Sequence, residues 1–213
     1  TGVQDQSKLG RDAWHEIDQL AIFKPVTKWN ARISRTDQIT RTIREAFVRA
    51  QSGRMGPVHV DIPKDISKHQ FAEGEVPSGS ARLPSIREAN RIAPNPLLVQ
   101  EALALLRSAS RPLILAGGGV HRSDASQALQ EFADLTGIAA VTTGMGRGAL
   151  PEDHELCIGT CGHFGTATAN EALRTADVVL GIGTRFSDIT TFDWTTIQPA
   201  ARIIHIDIDP GEI

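Results

Sequence analysis

Thr175-Ala-Asp-Val-Val-Leu-Gly-Ile-Gly-Thr-Arg-Phe-Ser-Asp188, followed by Arg202-Ile-Ile-His-Ile-Asp-Ile-Asp-Pro210, decides the fold. Each half reads as a buried strand that runs into polar groups at its carboxyl end. Residues 178–182 are a continuous apolar run closed by Gly183, with Arg185 and Asp188 beyond it. Residues 203–208 form a second run, studded with His205, Asp207 and Asp209. Continuous apolar runs mark strands covered on both faces, the habit of parallel sheets. In open α/β sheets ligands sit outside the carboxyl ends of the strands, so charged residues placed there overlook a crevice.

Working outward, the same alternation continues upstream. Residues 97–107 predict a helix with Leu98, Ala102, Leu105 and Leu106 on one face, and 112–116 a strand ended by Gly117-Gly-Gly119. A helix over 125–135, a strand over 138–142 and a helix over 167–174 precede the two strands above. Helix–strand alternation of this kind implies an α/β fold with a doubly wound parallel sheet and right-handed crossovers. A smaller α/β piece comes first. Asp37 is placed to cap a helix whose apolar residues Ile39, Ile43, Ala46, Phe47 and Ala50 fall at helical spacing, and Gly53 stops it. Gly56-Pro-Val-His-Val-Asp-Ile-Pro63 then reads as a strand, and 26–33 as a strand or extended loop. One helix and one or two strands cannot enclose a core, so this piece is expected to lean on further chain. Between the pieces, 68–95 shifts to Ser, Pro, Gly, Glu and Arg and reads as a linker.

Composition narrows the class. Of 213 residues 40% are hydrophobic and 22% charged, with a net charge of −3 and no block of one sign. That excludes a polyanion or nucleic-acid binder and predicts burial of roughly 70% of the unfolded surface. Apolar runs are too short for a membrane span. The start, Thr1-Gly-Val-Gln-Asp-Gln, has no signal-peptide character and no Met, which fits a piece of something longer. Cys157 and Cys161 have no second pair or His partner at zinc spacing, so reduced thiols in a cytoplasmic protein are expected and no metal site is read.

Several loops at the predicted sheet edge carry chemistry. Gly117-Gly-Gly119 lies between strand and helix, where a phosphate can meet backbone N–H groups; Arg122 stands where a third fingerprint glycine would fall, and a plain tight turn explains the triplet equally. Thr142-Thr-Gly-Met-Gly-Arg-Gly148 follows the next strand, either as a mobile loop or as backbone that folds against a planar ligand. Gly162-His-Phe-Gly-Thr166 opens a helix with Thr166 as N-cap, and His163 can stack on a ligand or simply be solvated. Arg185 is placed for a phosphate fork or for an ion pair with Asp188. Asp207 and Asp209 can hold ribose hydroxyls or cap the turn before Pro210. Lys28 and His15 read as surface residues, and no nucleophile–base pair follows from spacing.

The order of these motifs resembles that of acetolactate synthase large subunits, in the thiamine-diphosphate-dependent superfamily. Gly10-Arg-Asp-Ala-Trp-His-Glu16 is similar to the family's Phe-Gln-Glu segment. Pro25-Val-Thr-Lys-Trp-Asn30, Ser52-Gly-Arg-Met-Gly-Pro-Val-His-Val-Asp-Ile-Pro-Lys-Asp65, Arg111-Pro-Leu-Ile-Leu-Ala-Gly-Gly-Gly119, Gly183-Thr-Arg-Phe186 and His205-Ile-Asp-Ile-Asp209 match in register. The resemblance implies that 1–67 is the C-terminal part of a pyrimidine-binding domain, 68–95 a linker, and 96–213 most of a Rossmann-like central domain of FAD-binding type. It implies a fragment of a carboligase or decarboxylase that condenses 2-oxo acids with loss of CO2, in branched-chain amino acid biosynthesis, and that is inactive alone. Thiamine diphosphate and Mg2+ would be held in the whole enzyme and not by this chain, because the family's catalytic Glu and its Gly-Asp-Gly magnesium motif find no counterpart here. FAD would touch Gly117, Gly118, Gly119, Thr143, Gly144, Met145, Gly162, His163, Phe164, Gly183, Thr184, Arg185 and Asp207. Lys24 falls where the family has a flavin-contacting Arg, Lys28 near the substrate tunnel, and His15 at the active-site edge. A homodimer or tetramer, with a regulatory subunit as a further partner, is also implied.

The chain departs from the family pattern in two places. Arg185-Phe-Ser-Asp-Ile-Thr-Thr-Phe192 stands where acetolactate synthases read Arg-Phe-Asp-Asp-Arg-Val-Thr-Gly, so Ile189 removes a second Arg. Gly162-His-Phe-Gly165 replaces Gly-Met-His-Gly. A glyoxylate carboligase, the cyclohexanedione hydrolase of inositol breakdown, or a non-catalytic FAD- or ADP-binding module are the alternatives.

Overall fold

Strand β4, Pro112–Ala116, fixes the larger unit, because its side chains are buried on both faces in strict alternation. Ile114 and Ala116 join Leu129, Ala133, Ile138, Leu150 and Leu180 in one cluster. Leu113 and Leu115 join Val141, Ala169, Leu173 and Val179 in the other. Each such side chain removed from water contributes about 1.5–3 kcal/mol. The computed structural model describes residues 1–72 and 92–213, and the chain divides into two units, Thr1–Ile92 and Ala93–Ile213. Of the predicted linker, 73–91 lie outside the described residues.

In the second unit five parallel strands run in the order β6-β5-β4-β7-β8. They are β4, β5 (Ala140–Thr142), β6 (Cys157–Thr160), β7 (Val178–Ile182) and β8 (Arg202–Ile206). The chain steps outward from β4 to β6, then crosses back to lay β7 on the other side of β4. The order therefore reverses between β4 and β7. Helices Pro96–Ser108, Ser126–Thr136 and Ala167–Thr175 occupy the predicted positions. Asn95 caps the first by accepting Leu97 N–H, Gly137 ends the second at φ +67°, and Thr166 caps the third by accepting Ala169 N–H. Strand β6 was not expected from the sequence, and β8 ends at Ile206, two residues short of the predicted run.

The first unit holds a three-stranded parallel sheet in the order β1-β3-β2, from Gly2–Val3, Val58–Pro63 and Trp29–Arg32. Helix Ile39–Gln51 forms as expected, but Asp37 does not cap it. That residue lies in a preceding 3-10 turn and pairs with Arg35, so the helix begins without a side-chain cap. Along β3 the buried positions are His59, Asp61 and Pro63, which places polar groups inside. Asp61 is fully buried and accepts from Arg32 Nε at 2.6 Å and from Thr1 Oγ1 at 3.1 Å. Trp14, Ile17, Ile22, Val26, Phe47 and Val48 remain exposed in this unit.

Candidate functional site at the carboxyl edge of the larger sheet

The reversal between β4 and β7 is where open α/β sheets present a crevice. Here the loops that leave the two strands cross in direct backbone contact. Gly119 donates to the Gly183 carbonyl at 3.0 Å, and Gly117 to Ile182 at 2.8 Å. A Cβ on Gly117 would stand 2.2 Å from the Gly183 oxygen, and one on Gly183 would stand 2.5 Å from the Gly119 Cα. Gly183 also sits at φ +58°, open to glycine at no steric cost. The tight-turn reading of these glycines is thus realised by protein backbone filling the space a side chain would occupy.

The loop after β5 docks the same way. Thr143 donates its N–H to Ala116 and accepts Gly146 N–H on its side-chain oxygen at 3.0 Å, while Gly146 rests on the Ala116 carbonyl. Gly144 faces open space and Met145 is largely exposed beside Gly118. The loop after β6 reaches the segment that follows β7. His163 N–H donates to Ile189 O at 2.9 Å, and Gly162 lies against the same carbonyl. Asn170 clamps Gly162 through both its amide groups. The His163 ring stacks on Phe192 at 4.2 Å and its Nε2 lies 3.4 Å from the Asp193 carboxylate. Phe164 is 88% exposed.

The segment after β7 is the most strained in the unit. Phe192, Asp193 and Trp194 follow one another at φ +53°, +55° and +58°, and Phe186 adds a fourth left-handed residue at +48°. Non-glycine residues in this region cost about 1–3 kcal/mol each, and persist where the surroundings over-determine them. Thr191 supplies that constraint. Its hydroxyl donates to Ser187 O and accepts Trp194 N–H at 3.1 Å, and its carbonyl accepts both the N–H and the hydroxyl of Thr196. Sequence reasoning missed this turn, because aromatic residues argue against left-handed backbone.

Arg185 is exposed, and its guanidinium makes no ion pair or hydrogen bond among the described residues; the pairing with Asp188 is not formed. An unpaired guanidinium beside the crossing loops is free for an anion. Thr184 is buried, and its carbonyl meets His205 Nε2 at 2.8 Å. Asp207 accepts Asp209 N–H at 2.9 Å, which realises its capping role and leaves Oδ2, 3.9 Å from His205 Nε2, as a second acceptor. The Phe186 ring covers Gly181 and meets His205 edge-on.

The remaining predicted residues lie in the first unit. Lys24 is exposed, and its ammonium group has no partner among the described residues. Lys28 Nζ is held by the carbonyls of Ser52 and Arg54 at 2.7 Å each, so its charge closes the loop between helix and β3. His15 stands at φ +65°, its ring 4.0 Å from that of Trp14 and tilted 33° to it. With Gln4, Lys64 and Ser67 it lines an open cleft of about 280 Å³ at the carboxyl ends of β1 and β3. The loop that carries it is tied by Glu16, whose carboxylate accepts Gly10 and Ala13 N–H groups; these bonds hold it below the ordinary glutamate range.

The donor set of the larger unit fits a dinucleotide: a free guanidinium for phosphate, an available carboxylate oxygen for ribose, exposed rings for a planar system, and open backbone at Gly144. Among the described residues no three His, Cys, Asp or Glu side chains converge as a metal would require. Nor is any helix among them long and apolar enough to cross a membrane.

Fold and edge together define a doubly wound α/β domain with its loops locked over the topological switch point. Residues 99–213 match the family described as "Thiamine pyrophosphate enzyme, central domain", and the chain belongs to that family. It is similar along its whole length to a probable acetolactate synthase large subunit of Methanocaldococcus jannaschii, at 43% identity and covering 36% of that protein. The acetolactate synthase large subunit of Corynebacterium glutamicum is 41% identical with 33% covered, and that of Porphyra purpurea 35% identical with 36% covered. The chain spans about a third of the length of these relatives.

Proposed function

We propose that the chain is a segment of a thiamine-diphosphate-dependent enzyme of the acetolactate synthase type, which condenses 2-oxo acids with loss of CO2. In this reading 1–67 complete a pyrimidine-binding domain, 68–95 link it onward, and 96–213 are the central domain. Thiamine diphosphate supplies the nucleophilic carbon of the reaction and is held, with Mg2+, by parts of the whole protein outside this chain. The segment alone does not turn over a 2-oxo acid. The whole protein acts in the cytoplasm as a homodimer or tetramer, with a regulatory subunit as a further partner.

The central domain, in the same proposal, binds FAD along the carboxyl edge of its sheet. Arg185 carries this reading: it is a guanidinium without a protein partner, placed beside glycine loops at the switch point. Arg185 would take the pyrophosphate, Asp207 a ribose, and the loops at 117–119, 143–145 and 162–164 the rest of the ligand. The test is a thermal-shift titration with FAD, ADP and NAD, since a ligand of the folded state alone must raise the melting temperature. A rise specific to FAD that is lost in Arg185→Ala supports the reading. A rise with ADP alone replaces FAD by ADP, and no rise with any of them refutes nucleotide binding by this segment.

A further inference from the structure

The left-handed turn Phe192–Asp193–Trp194 leaves both of its aromatic rings open to solvent. Phe192 is 42% exposed and Trp194 70% exposed. An exposed tryptophan ordinarily turns freely, but this one is pinned: its indole Nε1–H donates to the Phe186 carbonyl at 3.0 Å. Phe192 is backed by the His163 ring, which is itself oriented by Asp193 and anchored through its own N–H to Ile189. Two large rings are therefore held in fixed orientation on strained backbone, with apolar surface left open to solvent. Preorganised aromatic rings of this kind lose little freedom when a planar partner settles on them.

We propose that Phe192 and Trp194 form the platform on which the flavin ring of the dinucleotide stacks; this rests on the FAD reading above. The platform joins the loop after β7 to the loop after β6, and β6 is the edge strand opposite β8, past whose end Asp207 lies. With the ribose acceptor just past β8 and Arg185 just past the neighbouring β7, the ring that reaches toward β6 is the flavin and not the adenine. Asp193, a carboxylate within the turn, disfavours a phosphate at that end.

Calorimetric titration of the 213-residue chain with FAD and with ADP tests this. Trp194→Ala raises the FAD dissociation constant about tenfold and leaves that of ADP within about twofold. Phe192→Gly does the same; glycine relieves the left-handed strain but gives up the His163 stack, so the urea midpoint of the ligand-free variant is measured alongside, and a folded baseline at the titration temperature excludes unfolding as the cause of weaker binding. Wild-type FAD affinity in both variants overturns the platform and leaves FAD binding standing. Equal weakening of FAD and ADP overturns the flavin assignment in favour of adenine. Failure of the unaltered chain to bind FAD overturns the platform together with the cofactor reading.

Discussion

Replacing Gly183 by Ala tests whether the glycines at the switch point serve packing or only a ligand. The new methyl carbon would lie 2.5 Å from the Gly119 Cα and 3.0 Å from the Gly119 carbonyl carbon and nitrogen, none of which is the end of a flexible side chain. Overpacking against fixed backbone costs about 1–3 kcal/mol. Holding alanine at φ +58° adds about 1–2 kcal/mol. The reduced entropy of the unfolded chain returns about 0.4–1 kcal/mol. The expected loss is therefore about 1–4.5 kcal/mol, or about 2–18 °C in melting temperature for a chain of this size. Gly119→Ala fills the same gap from the other side without the φ term, and should cost about 1–3 kcal/mol. Because the two share one contact, the double variant should lose less than the sum of the single losses. Gly144→Ala is the internal control, with nothing within 4 Å of its Cβ and no positive φ, and should be neutral or slightly stabilising. Urea midpoints of the ligand-free chain, at unchanged slope, provide the measurement. A Gly183→Ala midpoint equal to that of Gly144→Ala would refute the packing argument, and loss of ligand binding alone would return these glycines to a purely recognitive role.

Arg32→Met leaves the fully buried Asp61 carboxylate without its cation and should cost about 3–5 kcal/mol, much of it regained in Arg32→Met/Asp61→Leu; equal urea midpoints for the two variants would contradict the buried pair. His59 is held below its ordinary pKa, first by burial and then by the Thr1 amino group, so its unfolded form takes up the proton at higher pH than the native form. Stability is therefore complete above about 6.5 and falls as pH drops through that value toward the lowered native pKa, a slope in the urea midpoint that His59→Gln should flatten. Burial pushes the Cys161 thiol up to about 11. Peptide mapping after iodoacetamide at about pH 8 should find Cys161 modified only in denaturant, and native labelling at the same rate would exclude the buried position.

The sequence made the larger sheet legible because β4 and β7 are continuous apolar runs ended by glycine, a pattern that only strands covered on both faces need. Strand β6 escaped for the opposite reasons. Its four residues are all half-buried, it lies at the sheet edge, it contains Gly159 at φ +119°, and its register with β5 is irregular at Ala140/Val141. In the first unit β1 has two residues, too few for any period to show, and β3 turns His59 and Asp61 inward, against the usual sense of polar alternation. At the site, strand order alone places the loops around Gly117, Thr143, Gly162, Gly183 and Asp207 on one edge, since all follow carboxyl ends of parallel strands. What occupies the space above them does not follow. A glycine records only the absence of a Cβ, and a ligand or a crossing backbone exploits that absence equally well. The structure assigns the space at Gly117, Gly146, Gly162 and Gly183 to backbone and leaves Gly144 open. The Phe192–Trp194 turn was illegible for a further reason: local propensity opposes it, and hydrogen bonds to Thr191, Asp188 and Phe186, with the ring of His163, hold it in place. A conformation that local preference disfavours and tertiary contacts impose has to be read from the fold. It is also the conformation whose relief by Phe192→Gly separates what the turn does for stability from what it does for a ligand.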